Sequence, residues 1–296
     1  MRFAAIDIGS NAVRLLLTNI YSGYEGYKTV FQKESLIRVP LRLGEEAFID
    51  GELSDWRVEK LIETMKSYRH LMNVHGVIDY RACGTSAIRS IRNSQEVVDR
   101  IRDEANIEVE VISGQEEAEI IFSTGISYEL SPKKSYLYID VGGGSTDISL
   151  IKGKEYIGTL RLLNDLVGDE EWTAMKEWLV HLRKQYPKME AIGSGGNINK
   201  MGKMYGKNKD KSLSYTIIKA IHSHLNRYTI LERIRELNLK PDRADVIIPA
   251  SVIFMNAMQW GSIKKIYVPK IGLADGIIKR LYAQYADSAT VSLDGE

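Results

Sequence analysis

The pattern of hydrophobic and polar positions begins with two short apolar runs joined by a glycine turn. Residues 3–8 form the first run, which contains Asp7, and residues 13–20 form the second. The turn between them is Gly9-Ser10-Asn11. Short apolar runs bounded by glycine and polar turn residues are typical of buried β-strands. We therefore predict a strand, a tight turn and a second strand at the start of the chain.

The same pattern returns later in the chain. Residues 136–141 form an apolar run that contains Asp140, and after the turn Gly142-Gly143-Gly144-Ser145-Thr146 another run begins at Ile148. The two aspartates are 133 residues apart (140 − 7), which is the size of an ordinary domain. This duplication predicts two related domains that face each other. We place them at residues 1–125 and 126–296, with the last helix free to pack back on the first domain.

The segments between and after the two copies alternate between helical and strand-like patterns. Residues 55–73 carry apolar residues at helical spacing behind Ser54, a residue type that caps helices. Asn93 and Glu96 have the spacing of a capping box at the start of a helix over 94–105. Further helices are predicted from Ser113 to about residue 126, at 170–186, 216–237 and 250–260, and from residue 274 onward. Strands are predicted at 77–83 and 107–111 and near residues 191 and 266. This mixture predicts the α/β class.

The composition narrows the range of functions. There are 40 basic and 39 acidic side chains, so the formal charge of +1 argues against a dedicated nucleic-acid binder. The single cysteine, Cys83, excludes an intrachain disulfide and a thiolate metal cluster. No apolar run approaches the roughly 20 residues that span a bilayer, and an acid interrupts the N-terminal run where a signal peptide needs its apolar core. We expect a soluble, cytoplasmic protein whose partners include neither a nucleic-acid polymer nor a membrane.

The two glycine turns suggest phosphate chemistry. Successive backbone amides in such a turn point into one concavity that suits a phosphate, and an aspartate at the end of the preceding strand is placed to hold Mg²⁺. A single glycine turn is more often a plain hairpin, but an aspartate at the same place in both copies favours a phosphoryl-transfer site in a cleft. A third cluster, with Gly195 and Gly196, is equally consistent with an ordinary loop and with an anion site at a helix N-terminus.

Several motifs follow one another along nearly the whole chain. They are residues 7–14, 84–89, 112–118, 140–146, 158–162, 193–197, 241–247 and 272–276. In this order they resemble the exopolyphosphatase / guanosine pentaphosphate phosphohydrolase (Ppx/GppA) family in its short, two-domain form. The segment 113–118, Ser-Gly-Gln-Glu-Glu-Ala, is the most discriminating, because the wider superfamily of acetate kinase, actin, heat-shock proteins and sugar kinases shares the aspartate–glycine turns.

The resemblance implies two actin-like (ribonuclease H-like) α/β domains that face a central cleft, and hydrolysis of a terminal phosphoanhydride. Glu117 matches the catalytic glutamate of the family, and Arg89 would stabilise charge on the phosphoryl oxygens. The phosphate-binding positions would be Gly9, Ser10, Asn11, Arg14, Gly142, Gly143, Gly144, Ser145, Thr146, Gly195 and Gly196. Mg²⁺ would be placed by Asp140, Asp147 and Asp7. The expected substrates are polyphosphate or guanosine pentaphosphate, and a homodimer would add surface for a long polyanion.

Two neighbouring glutamates receive different roles. With Ser113 as the N-cap, Glu116 lies where it can close a capping box with the Ser113 amide. Glu117 is rotated from it by about 100° and is free to face the cleft. A helix N-terminus favours the charged form of a carboxylate, so we expect Glu117 to be ionised and able to accept a proton from the attacking water.

Two other functions are also compatible with the sequence. The chain could transfer phosphate to a small-molecule acceptor, as the kinases of the superfamily do. It could also be a non-catalytic or weakly catalytic sensor that binds guanosine tetra- or pentaphosphate. Four positions depart from the family pattern: Asp147 stands where many members have glutamate, Ala12 where serine is common, Glu119 where many have arginine, and Asn199 where some have lysine.

Overall fold

The computed structural model describes residues 1–23, 28–124, 134–142, 145–152, 155–163, 168–206, 211–269 and 271–293. The chain divides into two compact units, which are Met1–Thr124 together with Gly272–Glu296, and Gly125–Ile271. The predicted domain boundary between residues 125 and 126 lies outside the described residues. Within the described ranges, no helix combines the length and apolar character needed to cross a membrane.

The first unit contains a five-stranded sheet. Its strands are β1 (Arg2–Ile8), β2 (Val13–Tyr21), β3 (Val30–Val39), β4 (Asp79–Gly84) and β5 (Val109–Val111). Their order in the sheet is β3-β2-β1-β4-β5. Strands β1, β2 and β3 are antiparallel neighbours, whereas β1, β4 and β5 run parallel. The predicted strand, turn and strand at the start of the chain are therefore the antiparallel pair β1 and β2.

The second unit contains a six-stranded sheet with the same plan. Its strands are β6 (Ser135–Val141), β7 (Ser145–Lys152), β8 (Glu155–Leu163), β9 (Glu190–Ser194), β10 (Ser212–Ser214) and β11 (Lys265–Tyr267). Their order is β8-β7-β6-β9-β11-β10. Strands β6, β7 and β8 are antiparallel, β6, β9 and β11 are parallel, and β10 is antiparallel at the edge. Both units thus have three antiparallel strands followed by two parallel ones, which confirms the predicted duplication and the α/β class.

Twelve helices surround the two sheets in the described residues. Those of the first half are α1 (Gly44–Ala47), α2 (Asp55–Val74), α3 (Ser86–Ser90), α4 (Ser94–Ala105) and α5 (Gly114–Phe122). The second unit adds α6 (Asp169–Gln185), α7 (Gly196–Tyr205), α8 (Tyr215–Leu225), α9 (Ile230–Arg235), α10 (Pro241–Ala244) and α11 (Ile247–Trp260). The last helix, α12 (Leu273–Leu293), belongs to the first unit, where it packs against α5 and the sheet.

Successive side chains of β1 point to opposite faces of the sheet, so each residue packs against the helices on its own face. Ile6 is buried in the core formed with α2 and α4. Phe3 faces the other way and meets Tyr282 and Tyr285 of α12 edge to face, with ring centroids 6.2 and 5.6 Å apart. Both faces of this sheet are therefore covered. By the same alternation Asp7 lies on the face that α12 covers.

The core of the second unit forms around β6. Leu137 and Ile139 of this strand are fully buried and belong to the same apolar cluster as Leu179 of α6 and Phe254 of α11. The strand is apolar almost throughout, as expected for a central strand buried on both faces. This packing holds Asp140 near the carboxyl end of a buried strand.

Two helical predictions differ from the structure. Residues 216–237 form two helices because Thr229 starts a new one: its hydroxyl accepts from the Glu232 amide at 3.3 Å, and the Glu232 carboxylate accepts from the Thr229 amide at 2.7 Å. Asn93 does not cap α4. Its side chain instead accepts from the Leu53 amide at 3.1 Å and donates to the Leu53 carbonyl at 3.0 Å. A partner that is distant in sequence thus replaces the local capping box.

Helix α12 crosses α5 at a glycine. A Cβ atom on Gly276 would overlap the backbone carbonyl oxygen of Ile120 in α5. One turn further along α12, the Lys279 amino group donates to the carbonyl of Thr124, just beyond the end of α5. The glycine therefore lets the two helices touch along their backbones, and the lysine satisfies a carbonyl that lies past the last helical turn.

Replacing Gly276 by alanine should destabilise the protein by about 1–3 kcal/mol, because overlap with a backbone atom outweighs the roughly 1 kcal/mol by which alanine normally favours a helix. Gly202→Ala in α7 is the matched control, since its Cβ would meet Val268 at an ordinary 3.5 Å. We expect that variant to be neutral or stabilised by under ~1 kcal/mol. Urea denaturation measures both. Equal free energies of unfolding would show that the contact between α12 and α5 adapts without cost.

Candidate active site

The first glycine turn lies at the end of β1. The Gly9 amide donates to the carbonyl three residues later at 3.3 Å and closes the turn. The segment that leads into α1 holds the turn from outside, because the Arg42 amide donates to the Asn11 carbonyl at 3.0 Å and the Gly44 amide donates to the Ser10 carbonyl at 2.8 Å. The three predicted phosphate-binding residues of this turn are thus fixed by backbone hydrogen bonds.

The second glycine turn repeats this construction. The Gly142 amide donates to the Ser145 carbonyl at 2.8 Å, which is the same connection 133 residues further along the chain (142 − 9). Ser145 and Thr146 are buried. Gly143 and Gly144, which the sequence assigns to phosphate binding, lie outside the described residues. The shared hydrogen bond shows that the two turns are built in the same way.

Strand pairing beside the turns places different charges in the two units. In the first unit Asp7 is paired with Arg14, and the guanidinium lies 2.5 Å from the carboxylate. In the second unit the equivalent pair is Asp140 and Asp147. The first unit therefore presents a guanidinium suited to an anion, whereas the second presents two neighbouring carboxylates suited to a cation.

Asp140 and Asp147 fit a Mg²⁺ ion that also takes water and phosphate oxygens as ligands. Paired residues on adjacent antiparallel strands have Cβ atoms about 4.5–5.5 Å apart, which lets two carboxylates share one ion. Mg²⁺ usually binds through one or two protein carboxylates and completes its octahedral shell with water and substrate. In the part of the chain that the structure describes, no three His, Cys, Asp or Glu side chains form a metal cluster by themselves. Asp7, the third predicted ligand, is bound to Arg14.

The third glycine loop joins β9 to α7 and approaches the end of β6. Gly195 has a φ of +97°, and a Cβ there would overlap the Val141 carbonyl oxygen and lie 3.1 Å from the Asp140 carboxylate. Gly196 lies against the Arg243 guanidinium, which a Cβ would also overlap. At Gly195 the positive φ and the overlap with a backbone oxygen require glycine, whereas a side chain at Gly196 would displace the guanidinium of Arg243. The loop thus places the N-terminus of α7, which favours an anion, beside a predicted metal ligand.

The other predicted residues of the first unit lie at the carboxyl ends of its parallel strands. Thr85, which follows β4, donates both its amide and its hydroxyl to the Ile8 carbonyl, each at 3.1 Å. This contact places the start of α3 beside the first glycine turn. Arg89 on α3 and Glu117 on α5 follow β4 and β5, so they share this edge of the sheet, where open α/β sheets bind their ligands.

Glu117 and Arg89 lie side by side. Glu117 Oε2 is 4.0 Å from Arg89 Nη1, and the two side chains are only 17% and 21% exposed. The Arg89 guanidinium also donates to the Ile112 carbonyl, which helps to orient it. The arrangement combines a carboxylate that can accept a proton with a guanidinium that can bind phosphate oxygens.

Glu116 contacts a different arginine from its neighbour Glu117, and it fulfils only part of its predicted capping role. The Ser113 hydroxyl accepts from the Glu116 amide at 3.0 Å, which confirms Ser113 as the N-cap. The Glu116 carboxylate, however, accepts from Arg81 at 2.9 Å and does not return to the Ser113 amide, so the capping box is half formed. Arg81 also binds both carboxylate oxygens of Glu110, and this interaction raises the pKa of the guanidinium. A charged donor is a stronger partner for Glu116 than a backbone amide.

Sequence reasoning missed three contacts that shape these sites. They are the bonds from Arg42 and Gly44 to the first turn, the ion pair of Arg81 with Glu116, and the approach of Arg243 to the third glycine loop. Arg243 lies within the motif 241–247, which was a usable signal. The other two contacts join distant segments and leave no local pattern.

Known proteins with similar sequences include an exopolyphosphatase and a guanosine-5′-triphosphate,3′-diphosphate pyrophosphatase. The chain is 23% identical over 319 residues to "Exopolyphosphatase 1" of Mycobacterium tuberculosis, an alignment that covers 98% of this chain and 91% of that protein. It is 27% identical over 176 residues to a guanosine-5′-triphosphate,3′-diphosphate pyrophosphatase of Aeromonas hydrophila, covering 57% of this chain and 34% of that protein.

Solved structures share the fold. The crystal structure of the Aquifex aeolicus member of the Ppx/GppA family superposes with a TM-score of 0.73 at 25% identity, over 96% of this chain and 98% of that one. An exopolyphosphatase structure from Cytophaga hutchinsonii gives a TM-score of 0.79 at 24% identity, over 95% and 97% of the two chains. The predicted fold class of two actin-like α/β domains is confirmed. A family model matches residues 28–284, and the protein therefore belongs to the Ppx/GppA phosphatase family.

Proposed function

We propose that this protein hydrolyses the terminal phosphoanhydride bond of inorganic polyphosphate or of guanosine pentaphosphate, with Mg²⁺ as cofactor. The observation that carries this proposal is the pair of Glu117 and Arg89, 4.0 Å apart at the strand edge that also holds the first glycine turn. The relatives named as an exopolyphosphatase and as a guanosine-5′-triphosphate,3′-diphosphate pyrophosphatase support the substrate class.

In the proposed reaction the oxygen of a water molecule forms a bond to the terminal phosphorus while the bond to the bridging oxygen breaks. Glu117 aims the water in line with the bond that breaks and accepts its proton at a carboxylate oxygen. Arg89 donates to the phosphoryl oxygens, whose negative charge it stabilises in the transition state. Both groups stand on helices that directly follow parallel strands of the same sheet.

Substrate binding is assigned to the glycine turns and to Arg14, whose fork of donors fits two phosphate oxygens. Asp140 and Asp147 hold the metal, and Asp7 keeps Arg14 in place through their 2.5 Å ion pair. When bound, Mg²⁺ supplies positive charge that neutralises the bridging oxygen of the substrate.

A phosphate-release assay tests the proposal against its rivals. The substrates are inorganic tripolyphosphate, long polyphosphate, guanosine pentaphosphate, and ATP without an acceptor. Release of orthophosphate from one of the first three, stopped by EDTA, supports the hydrolase. Phosphate transfer from ATP that needs an added acceptor would favour a phosphotransferase. Calorimetric binding of guanosine tetraphosphate with no release from any substrate would indicate a sensor.

Glu117→Gln should lower turnover by roughly 10²- to 10⁴-fold, because the amide keeps the size of the side chain and cannot take the proton of the attacking water. Binding of substrate should persist or tighten, since a negative charge near the phosphates is removed. Steady-state phosphate release and calorimetry with tripolyphosphate measure the two effects.

Glu116→Gln is the control for this variant, since it changes the adjacent residue in the same way. Its amide oxygen can still accept from Arg81, so turnover should stay within several-fold of the wild type, and the free energy of unfolding should fall by under ~1 kcal/mol. If Glu116→Gln is inactive and Glu117→Gln is active, Glu116 and not Glu117 accepts the proton of the attacking water. If both variants are fully active, Glu117 does not accept the proton, and the proposed mechanism is wrong.

Asp140→Asn and Asp147→Asn should each raise the Mg²⁺ concentration needed for half-maximal activity by roughly 10-fold or more, because each removes a charged ligand. The stabilisation of the folded protein by added Mg²⁺, read as a shift in melting temperature, should shrink in parallel. Asp169→Asn, an exposed aspartate of the second unit outside the site, is the control. If the magnesium titrations of all three variants are identical, Asp140 and Asp147 do not bind the metal.

A further inference from the structure

A charged row crosses the sheet of the first unit beside the first glycine turn. Asp7 on β1 is paired with Arg14 on β2, and Arg14 is paired with Arg38 on β3. Paired residues of neighbouring strands project from the same face of a sheet, so these three side chains, the charged row, stand in line. Arg38 has no role in the reaction as described so far.

Tyr68 on α2 fixes the two strands that carry the arginines. Its hydroxyl donates to the Val13 carbonyl at 2.9 Å and lies 3.4 Å from the Ile37 carbonyl, and these are the residues just before Arg14 and Arg38. The phenol is buried, which raises its pKa, and the charges of the whole charged row also act on it.

Two arginines at paired positions have a cost for the fold. Like charges directly opposite each other destabilise a sheet. The charged row contains one carboxylate and two guanidinium groups, and the carboxylate of Asp7 is 2.5 Å from Arg14. The row also stands beside a turn whose amides favour an anion. A bound anion would offset the repulsion between Arg14 and Arg38.

The charged row leads from the glycine turn toward the edge of the sheet. Strand β3 is the edge strand and lies two strand spacings, about 10 Å, from β1. One phosphate held at the turn does not cover this distance, whereas several phosphoryl groups in line do. The planar fork of an arginine binds two oxygens of such a group at once.

We propose that Arg38, together with Arg14, binds a second phosphoryl group of a linear oligophosphate, farther from the bond that is cleaved than the group held by the turn. The assignment rests on the proposed function and names the substrate feature that this site selects. Arg38 is then the residue that favours substrates with several phosphoryl groups in line, such as inorganic polyphosphate or a nucleotide 5′-triphosphate. Arg38 does not raise the affinity for orthophosphate, which occupies only the position at the turn.

Calorimetry with inorganic tripolyphosphate and with orthophosphate tests this in the Glu117→Gln protein with Mg²⁺ present. Adding Arg38→Gln should weaken tripolyphosphate binding about 10-fold or more and orthophosphate binding by less than about twofold, because only the longer anion reaches the lost charged hydrogen bonds. Arg38→Lys keeps the charge without the fork and should give an intermediate loss. Arg92→Gln, an exposed arginine of the same unit that pairs with Glu52 at 3.2 Å, is the matched control and should change neither affinity.

Thermal melting and kinetics separate binding from a structural role. Without ligand, the melting temperatures of Arg38→Gln and the wild type measure how much Arg38 contributes to the fold. With Glu117 intact, it should raise KM for tripolyphosphate while kcat stays within about threefold. If Arg38 serves only the fold, Arg38→Gln lowers the melting temperature and leaves the ratio of the two affinities unchanged.

The outcomes also distinguish this proposal from the one it rests on. Equal tripolyphosphate affinity in the Arg38→Gln and Arg92→Gln proteins would overturn the role of Arg38 even if the wild type hydrolyses polyphosphate. If the wild type releases no phosphate but its affinity for tripolyphosphate depends on Arg38, the proposed hydrolase activity is wrong and the proposed anion site at Arg38 is supported. Should Arg38→Gln fail to fold, unchanged tripolyphosphate affinity in Arg38→Lys would be the contradicting result.

Discussion

The hydrogen bond that closes each glycine turn sets the pairing of the two strands that flank the turn, and the proposed site residues of each unit depend on this pairing. Gly9 donates to the carbonyl of Ala12, and Gly142 donates to the carbonyl of Ser145. Each bond fixes which residues of the flanking strands stand opposite each other. A shift of one residue would send every side chain of a strand to the other face of the sheet. Asp7 and Asp140 would then point away from the turns they serve.

Once the pairing is fixed, a single position distinguishes the chemistry of the two copies. The residue opposite the aspartate is Arg14 in the first unit and Asp147 in the second. The same backbone thus carries a guanidinium beside the aspartate in the first unit and a second carboxylate beside it in the second unit. Under the proposed function, the guanidinium binds phosphate and the carboxylates bind the metal, the two kinds of group that a phosphoanhydride bound together with its metal requires.

The features that were predictable from the sequence obey local rules. Both turns, the cap at Ser113 and the different directions of the two glutamates depend on residues within a few positions of each other. The partner of the Glu116 carboxylate was not predictable, because Arg81 lies 35 residues away on strand β4. The pairing of Arg38 was hidden for a different reason. An irregularity between residues 17 and 18 of β2 shifts the register with β3, so counting back from the hairpin gives the wrong partner.

The first unit is discontinuous along the chain, which affects how the protein forms on the ribosome. Helix α5, with Glu117, is synthesised before the second unit, but the helix that packs on it through Gly276 is synthesised after that unit. The second unit is continuous and can fold while the chain is still growing, as domains generally do during translation. Until α12 emerges, the first sheet has one uncovered apolar face, a surface that chaperones recognise and that favours aggregation. The helix that carries Glu117 therefore reaches its final support only after synthesis has passed through the entire second unit.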